Sequence, residues 1–186
     1  MRILLERLLA LTLIVLLLPI FIVLAMLIKI SSKGPIIFWS DRFGKGNIIF
    51  SMPKFRTMDI DTPQKATHLL EEPDQYLTSV GKFLRKTSLD ELPQLISIVR
   101  GHMSFVGPRP SLFNQFDLQG LRKEFNIDTL MPGVTGWAQV NGRDEISIQE
   151  KINFEREYLE RKSLTFDLYI LLLTLLKVFK REDVSH

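Results

Sequence analysis

Cysteine is absent from the 186 residues. Disulfides, thiolate metal centres and a thiol nucleophile are thereby excluded, and the composition fits an active domain in the cytoplasm. There is no low-complexity tract and no internal repeat. The formal net charge is only +3, so the chain is no polybasic nucleic-acid binder and no nucleic acid is expected as a partner. No Gly-Lys-Ser/Thr accompanies the glycines of Gly44-Lys45-Gly46-Asn47, which rules out a P-loop and leaves tight turns as their use. Charge is missing altogether from residues 8–28, a run interrupted only by Thr12 and Pro19.

As one straight helix, residues 8–28 would reach about 31 Å, close to the hydrocarbon thickness of a bilayer. The run is too long for a signal peptide, and no small-x-small cleavage site follows it. Two details disturb a simple spanning helix. Pro19 removes a backbone hydrogen bond and clashes with the preceding turn. Arg2 and Arg7 precede the run while Lys29 and Lys33 follow it, so neither flank is distinctly cytoplasmic. From the residues alone, a spanning helix kinked at Leu18-Pro19 and a helix that enters, bends there and leaves by the same face both satisfy the pattern.

Beyond it, Ser31-Ser32-Lys33-Gly34-Pro35 is a turn cluster and a natural boundary. Cations then outnumber acids: Lys29, Lys33, Arg42, Lys45, Lys54 and Arg56 face Asp41 alone, a block suited to an anionic membrane surface or to phosphate groups. Ile36-Ile37-Phe38-Trp39 reads as a strand that Ile48-Ile49-Phe50 can pair with as a hairpin. Residues 59–74 read as a polar loop with one short helix around 64–70, carrying a solvated His68. Short helices are expected over 80–86, 92–100 (closed by Gly101), 118–125 and 150–161. Val106-Gly107-Pro108-Arg109-Pro110 and residues 131–137 read as rigid turns, neither helix nor central strand. Residues 164–176 are apolar apart from Asp167 and two threonines and end in Lys177, Lys180 and Arg181. A helix lying along a membrane face, with Phe166, Tyr169 and Leu173 inward, suits them, and a buried core helix is the alternative.

The densest chemistry is Arg85-Lys86-Thr87-Ser88-Leu89-Asp90-Glu91-Leu92-Pro93-Gln94. Ser88-x-x-Glu91 matches a capping box, which would make both residues mere helix-start groups. The other reading is catalytic. A helix N-terminus offers partial positive charge to a phosphate and lowers the pKa of a nearby aspartate, keeping it ionised. Adjacent like charges oppose that, so a divalent cation or the flanking Arg85 and Lys86 would be needed. Carboxylate and diphosphate oxygens are hard ligands that favour Mg²⁺.

These stretches together resemble the bacterial sugar transferases, in particular the small monotopic phosphoglycosyl transferases. The resemblance is carried by Gly34-Pro35 with Arg42-x-Gly44, by Lys54-Phe55-Arg56-Thr57-Met58, and by Gly81-x-Phe83-Leu84-Arg85-Lys86. It continues through Ser88-Leu89-Asp90-Glu91-Leu92-Pro93-Gln94, Met103-Ser104-x-Val106-Gly107-Pro108-Arg109-Pro110, Pro132-Gly133-x-Thr135-Gly136-x-Ala138-Gln139 and Ser163-Leu164-x-x-Asp167. It implies an α+β, mainly helical fold. Residues 1–33 would form a re-entrant membrane helix bent at Leu18-Pro19 with both ends cytoplasmic. Residues 34–162 would form a compact cytosolic catalytic domain with a small β-hairpin, and 163–186 an interfacial helix and tail. The enzyme would sit monotopically on the bacterial inner membrane, without the additional helices and domain of larger members.

The implied reaction moves a sugar 1-phosphate from a UDP-sugar, typically an N-acetylated hexosamine or deoxy derivative, to undecaprenyl phosphate. Asp90 would attack the sugar-bearing phosphate and release UMP, and Glu91 would hold Mg²⁺. Lys54, Arg56, Arg85 and Arg143 would neutralise phosphate charge, and Gly107, Pro108, Arg109 and Pro110 would shape the nucleotide pocket. The C-terminal apolar stretch could serve a homodimer instead of lipid. The chain departs from the family pattern at Leu18 (usually Ser), Ser40-Asp41, His102 and Ala10, none of them in the carboxylate pair.

Overall fold

The computed structural model describes residues 2–62, 73–142 and 146–180. The short helix expected around 64–70, His68 and Arg143 lie outside the described residues. The fold is mainly helical, with two small two-stranded sheets.

Helix α1 (Arg2–Leu16) and helix α2 (Leu18–Ser31) meet at Leu17 with a bend of 62°. The cause is local. Pro19 has no N–H to offer, and its ring excludes the carbonyl four residues earlier, so the first helix must stop where the second starts. The bend expected at Leu18-Pro19 is therefore present, its break one residue earlier. Among the described residues no single helix is long and apolar enough to cross a membrane. The 15 residues of α1 extend about 22 Å.

Both ends of the bent pair are fastened to the same body. At the N-terminal end Arg2 pairs with Glu6 at 3.0 Å and with buried Asp167, while Ser104 donates to Glu6. At the other end the guanidinium of buried Arg56 donates to the carbonyls of Lys33 (2.6 Å) and Ser32 (3.0 Å) and to Ser32 Oγ (2.7 Å). In between, Ala10 is fully buried against Phe50, Met52, Leu95, Ile98 and Met103, while Leu24 and Ile28 pack with Phe55 and Leu84.

Strands β1 (Ile37–Phe43) and β2 (Ile49–Phe55) form an antiparallel hairpin, longer than expected, with Phe43 opposite Ile49 and Phe38 opposite Lys54. The turn between them is made by Gly46 and Asn47, both at positive φ. Helix α3 (Ser79–Lys86), capped by Thr78, and helix α4 (Gln94–Arg100) follow. Gly101 closes α4 at φ 81°, and a Cβ there would collide with Arg7 Nη2 at 1.9 Å.

A parallel pair not expected from the sequence, β3 (Ser104–Val106) and β4 (Gly133–Thr135), leads into the first stretch read as a rigid turn at Val106 and lies inside the second. Such short strands show no alternation to read. They pair because backbone meets backbone: a Cβ on Gly133 would lie 2.1 Å from Gly107 N. Helices α5 (Phe116–Glu124), α6 (Trp137–Val140), α7 (Ile148–Arg161, opened by a Ser147–Glu150 capping box) and α8 (Leu164–Lys180) complete the chain. Together with β3 they enclose the largest core: Val106, Leu118, Ile127, Ile152, Tyr158 and Ile170 are among its members. Helix α8 turns Phe166, Asp167 and Ile170 inward. Tyr169, expected inward, is 48% exposed, because one residue of helix rotates the side chain by about 100° away from Ile170.

Replacing Arg56 with methionine should strip three hydrogen bonds from the exit of α2. The loss is expected to be about 2–3 kcal/mol of stability, read as a lowered Tm in detergent or nanodiscs.

Candidate active site

The site is built on a break between two helices. After α3 the chain reverses through Ser88, a non-glycine residue in left-handed conformation (φ 55°), into a 3-10 turn, Leu89–Glu91, with Pro93 leading into α4. The capping box that Ser88-x-x-Glu91 suggests does not form. The Ser88 side chain makes no capping bond, and its carbonyl instead accepts the Glu91 N–H at 3.2 Å. Leu89 and Leu92 pack on the Leu24–Leu84 cluster and fix the turn from below. Asp90 is thereby driven inward, to 8% exposure.

Three cations converge on the pair. Lys54 Nζ, from strand β2, donates to Glu91 Oε1 at 2.9 Å, and Arg109 Nη2, from the loop after β3, donates to the same oxygen at 3.1 Å. Side-chain exposure is 11% for Glu91 and 16% for Lys54, so the contact is largely desolvated. Arg85, in the last turn of α3, is oriented by Nε donation to Thr57 Oγ1 at 3.0 Å, and its charge acts on Asp90.

The electrostatics correct one expectation. Asp90 does not sit below the ordinary carboxylate range. Burial pushes its pKa up and Glu91 adds to that, while Lys54, then Arg85 and Arg109, pull the other way. The helix that was to lower it starts only at Gln94, four residues on. Lys54 is pushed down by burial, with Arg109 and Arg42 adding to the effect and Glu91 and Asp90 opposing it. Burial thus shifts both Asp90 and Lys54 toward their neutral forms, and the opposite charges beside each offset part of that shift.

Of the residues singled out from the sequence, Asp90, Glu91, Lys54, Arg85 and Arg109 come together here. Gly107, Pro108 and Pro110 frame Arg109: Gly107 N–H donates to Thr135 O at 2.9 Å and Pro108 O accepts from Gly133 N at 3.0 Å. Arg56 is not brought to the pair; its guanidinium faces the Ser32–Lys33 carbonyls. Leu18 and Pro19 lie in the bent pair. Arg42, whose charge reaches Lys54, was visible as one cation of the basic block and as part of a motif, with nothing in its spacing to mark it as part of the site.

No group of three or more His, Cys, Asp or Glu residues able to hold a metal occurs among the described residues. Two adjacent carboxylates are what the chain offers here. That donor set fits Mg²⁺, which is held by one or two carboxylates together with substrate phosphates.

Around this site lies a broad apolar exterior. Ile3, Leu4, Leu8, Leu11 and Val15 of α1, Ile20, Ile22, Val23 and Met26 of α2, and Leu168, Leu172 and Leu175 of α8 are all exposed.

Residues 1–181 match the family model of the bacterial sugar transferases, and the chain belongs to that family. It is 40% identical over 176 residues to a UDP-glucose:undecaprenyl-phosphate glucose-1-phosphate transferase of Escherichia coli, a match covering 90% of this chain and 38% of that protein. It is 38% identical over 159 residues to an uncharacterized sugar transferase, EpsL, of Bacillus subtilis, covering 85% and 77% of the two chains. A UDP-N-acetylgalactosamine-undecaprenyl-phosphate N-acetylgalactosaminephosphotransferase of Aeromonas hydrophila is 36% identical over 163 residues, covering 84% and 38%. The chain thus spans well under half the length of the first and third of these relatives.

A carboxyl whose pKa is raised by folding favours the protonated fold. Its stabilisation is complete below the ordinary carboxylate range and is lost as pH rises through the raised value. Asp90→Asn, which never ionises, should therefore have a higher Tm than the native protein at neutral pH. The advantage should shrink as the pH falls toward about 4 in thermal melts.

Proposed function

We propose that this chain transfers a sugar 1-phosphate from a UDP-sugar to undecaprenyl phosphate, releasing UMP, as the membrane step that opens bacterial glycoconjugate assembly. The observation that carries this reading is the buried Asp90–Glu91 pair ringed by Lys54, Arg85 and Arg109, on a body with an extensive apolar exterior. The relatives in Escherichia coli and Aeromonas hydrophila are named for the same type of transfer with different sugars.

In this mechanism a carboxylate oxygen of Asp90 attacks the sugar-bearing phosphorus. The bond from that phosphorus to the bridging oxygen breaks, and UMP leaves with the electron pair. A phosphate oxygen of undecaprenyl phosphate then attacks the same phosphorus, expels the Asp90 carboxylate and yields the lipid-linked diphosphosugar. Splitting one transfer into two displacements is the usual gain of covalent catalysis. The raised pKa of Asp90 suits it to the first step, since a more basic carboxylate is the better nucleophile once ionised. Lys54, Arg85 and Arg109 neutralise the diphosphate, the main task in phosphoryl transfer. Glu91 would hold Mg²⁺, which supplies further charge neutralisation at the diphosphate. Arg56 is left with the structural task of fastening α2.

We place the bent α1–α2 pair in one leaflet of the inner membrane, re-entrant, with both ends and the catalytic body on the cytoplasmic side. What supports this is the attachment of both ends to one body, Arg2 to Asp167 and Ser32–Lys33 to Arg56, with apolar side chains turned outward between them. The outer face of α8 continues that apolar surface.

With donor and no lipid acceptor, the protein should release one equivalent of UMP and gain the mass of a phosphosugar at residue 90. A panel of UDP-sugars including UDP-glucose and UDP-N-acetylgalactosamine would identify the donor. Asp90→Asn should abolish both signals and EDTA should suppress turnover; transfer persisting in Asp90→Asn would instead point to a scaffold role or a direct displacement. Topology has its own test. Because the chain has no cysteine, Ile3→Cys and Lys33→Cys are unique labels, and both should react with an impermeant maleimide from the cytoplasmic side only.

A further inference from the structure

The loop that presents Arg109 contains two prolines, so it has few N–H groups with which to be held. It is held by its carbonyls instead, four in a row, by donors from three elements, β4, α5 and β1. Pro108 O accepts from Gly133 N of β4 at 3.0 Å, and Arg109 O from Arg122 Nη2 of α5 at 2.9 Å. Pro110 O accepts from Arg42 Nη1 of β1 at 3.2 Å, and Ser111 O from Phe43 N at 3.0 Å. Two of the four donors are arginine side chains, and one of these is itself deeply set. Arg122 and Glu155 are both buried and make a two-pronged ion pair, with Nε to Oε2 at 2.8 Å and Nη2 to Oε1. A buried ion pair is a poor source of stability, since replacing both partners with apolar residues is often neutral or favourable. Its presence calls for a task other than stability, and the further bond from Arg122 Nη2 to Arg109 O provides one.

We propose that Arg122, oriented by Glu155, is a positioning residue for Arg109: its grip on the Arg109 carbonyl sets where the Arg109 guanidinium meets Glu91. The side chain of Arg122 touches neither carboxylate of the reacting pair and acts only through the backbone it holds. This inference rests on the reading of Asp90 and Glu91 as the reacting pair.

The test uses the full chain in nanodiscs. Arg122→Met with Glu155→Met removes both charges and keeps the core apolar, and Arg122→Lys keeps the charge but loses the planar fork. Each should lower kcat/KM by about ten- to a hundred-fold, as expected for a catalytic group displaced by about an ångström. Each should also speed amide hydrogen exchange in residues 107–113 while leaving α1 and α4 unchanged. In an Arg109→Ala background neither should cause a further loss, because two residues acting through one contact do not add. Native turnover in the Met/Met variant, or losses that multiply with Arg109→Ala, would overturn the proposal and reduce the pair to core structure. If the Met/Met variant fails to fold, Arg122→Lys decides by the same two readouts. If Arg109→Ala by itself leaves turnover intact, the reading of the active site fails, and hydrogen exchange alone then decides the clamp. Faster exchange at 107–113 in Arg122→Lys would support it, and unchanged exchange would overturn it.

Discussion

Two neighbouring carboxylates held out of water repel each other, and burial penalises the charge on each. Only cations brought in from elsewhere can hold such a pair ionised. Here Lys54 arrives from the hairpin and Arg109 from the loop after β3, and both close on one oxygen of Glu91. Much of the molecule can be read as the means of delivering those two side chains. The length of β2 carries Lys54 to the turn, and the carbonyl-held loop carries Arg109. The left-handed Ser88 turns Asp90 inward to face them.

The same turn is tied to the bent helix pair. Helices α3 and α4 flank the Leu89–Glu91 turn; α2 packs on α3 and α1 packs on α4. Each half of the bent pair therefore supports one wall of the break that carries the carboxylates. Ala10 makes the closer of these packings possible: it is fully buried, and a larger or charged side chain at that point would push α1 away from α4. The bend at Leu17 and the break at Ser88 are thus two parts of one arrangement, in which the apolar anchor and the polar site share a scaffold.

The elements that were legible in the sequence are those whose signals are local. Pro19 announces the bend, Gly101 the end of α4, and the helical spacing over 118–125 and 150–161 marks α5 and α7 to within two residues. What was not legible depends on partners far along the chain. The β3–β4 pair has too few residues to show periodicity and forms because glycine backbones 26 or more residues apart can touch. Ser88-x-x-Glu91 looked like a capping box because the pattern is local, yet the carboxylate was drawn away by Lys54 and Arg109. Arg56 carries the same charge as Lys54 two residues away, and strand alternation alone would put both on one face; but β2 ends at Phe55, and past that end the Arg56 guanidinium turns to the Ser32–Lys33 carbonyls instead.

Sequence by itself determined the family, the uncharged N-terminal run with its proline, the carboxylate pair and the supply of cations, because each is a matter of residue type and order. Tertiary structure alone decided which cations reach Glu91, the upward push on the Asp90 pKa, and the fastening of both ends of the bent pair to one body. Those depend on distance and on exclusion of water, which a chain acquires only when strands and helices remote in sequence close around the same few atoms.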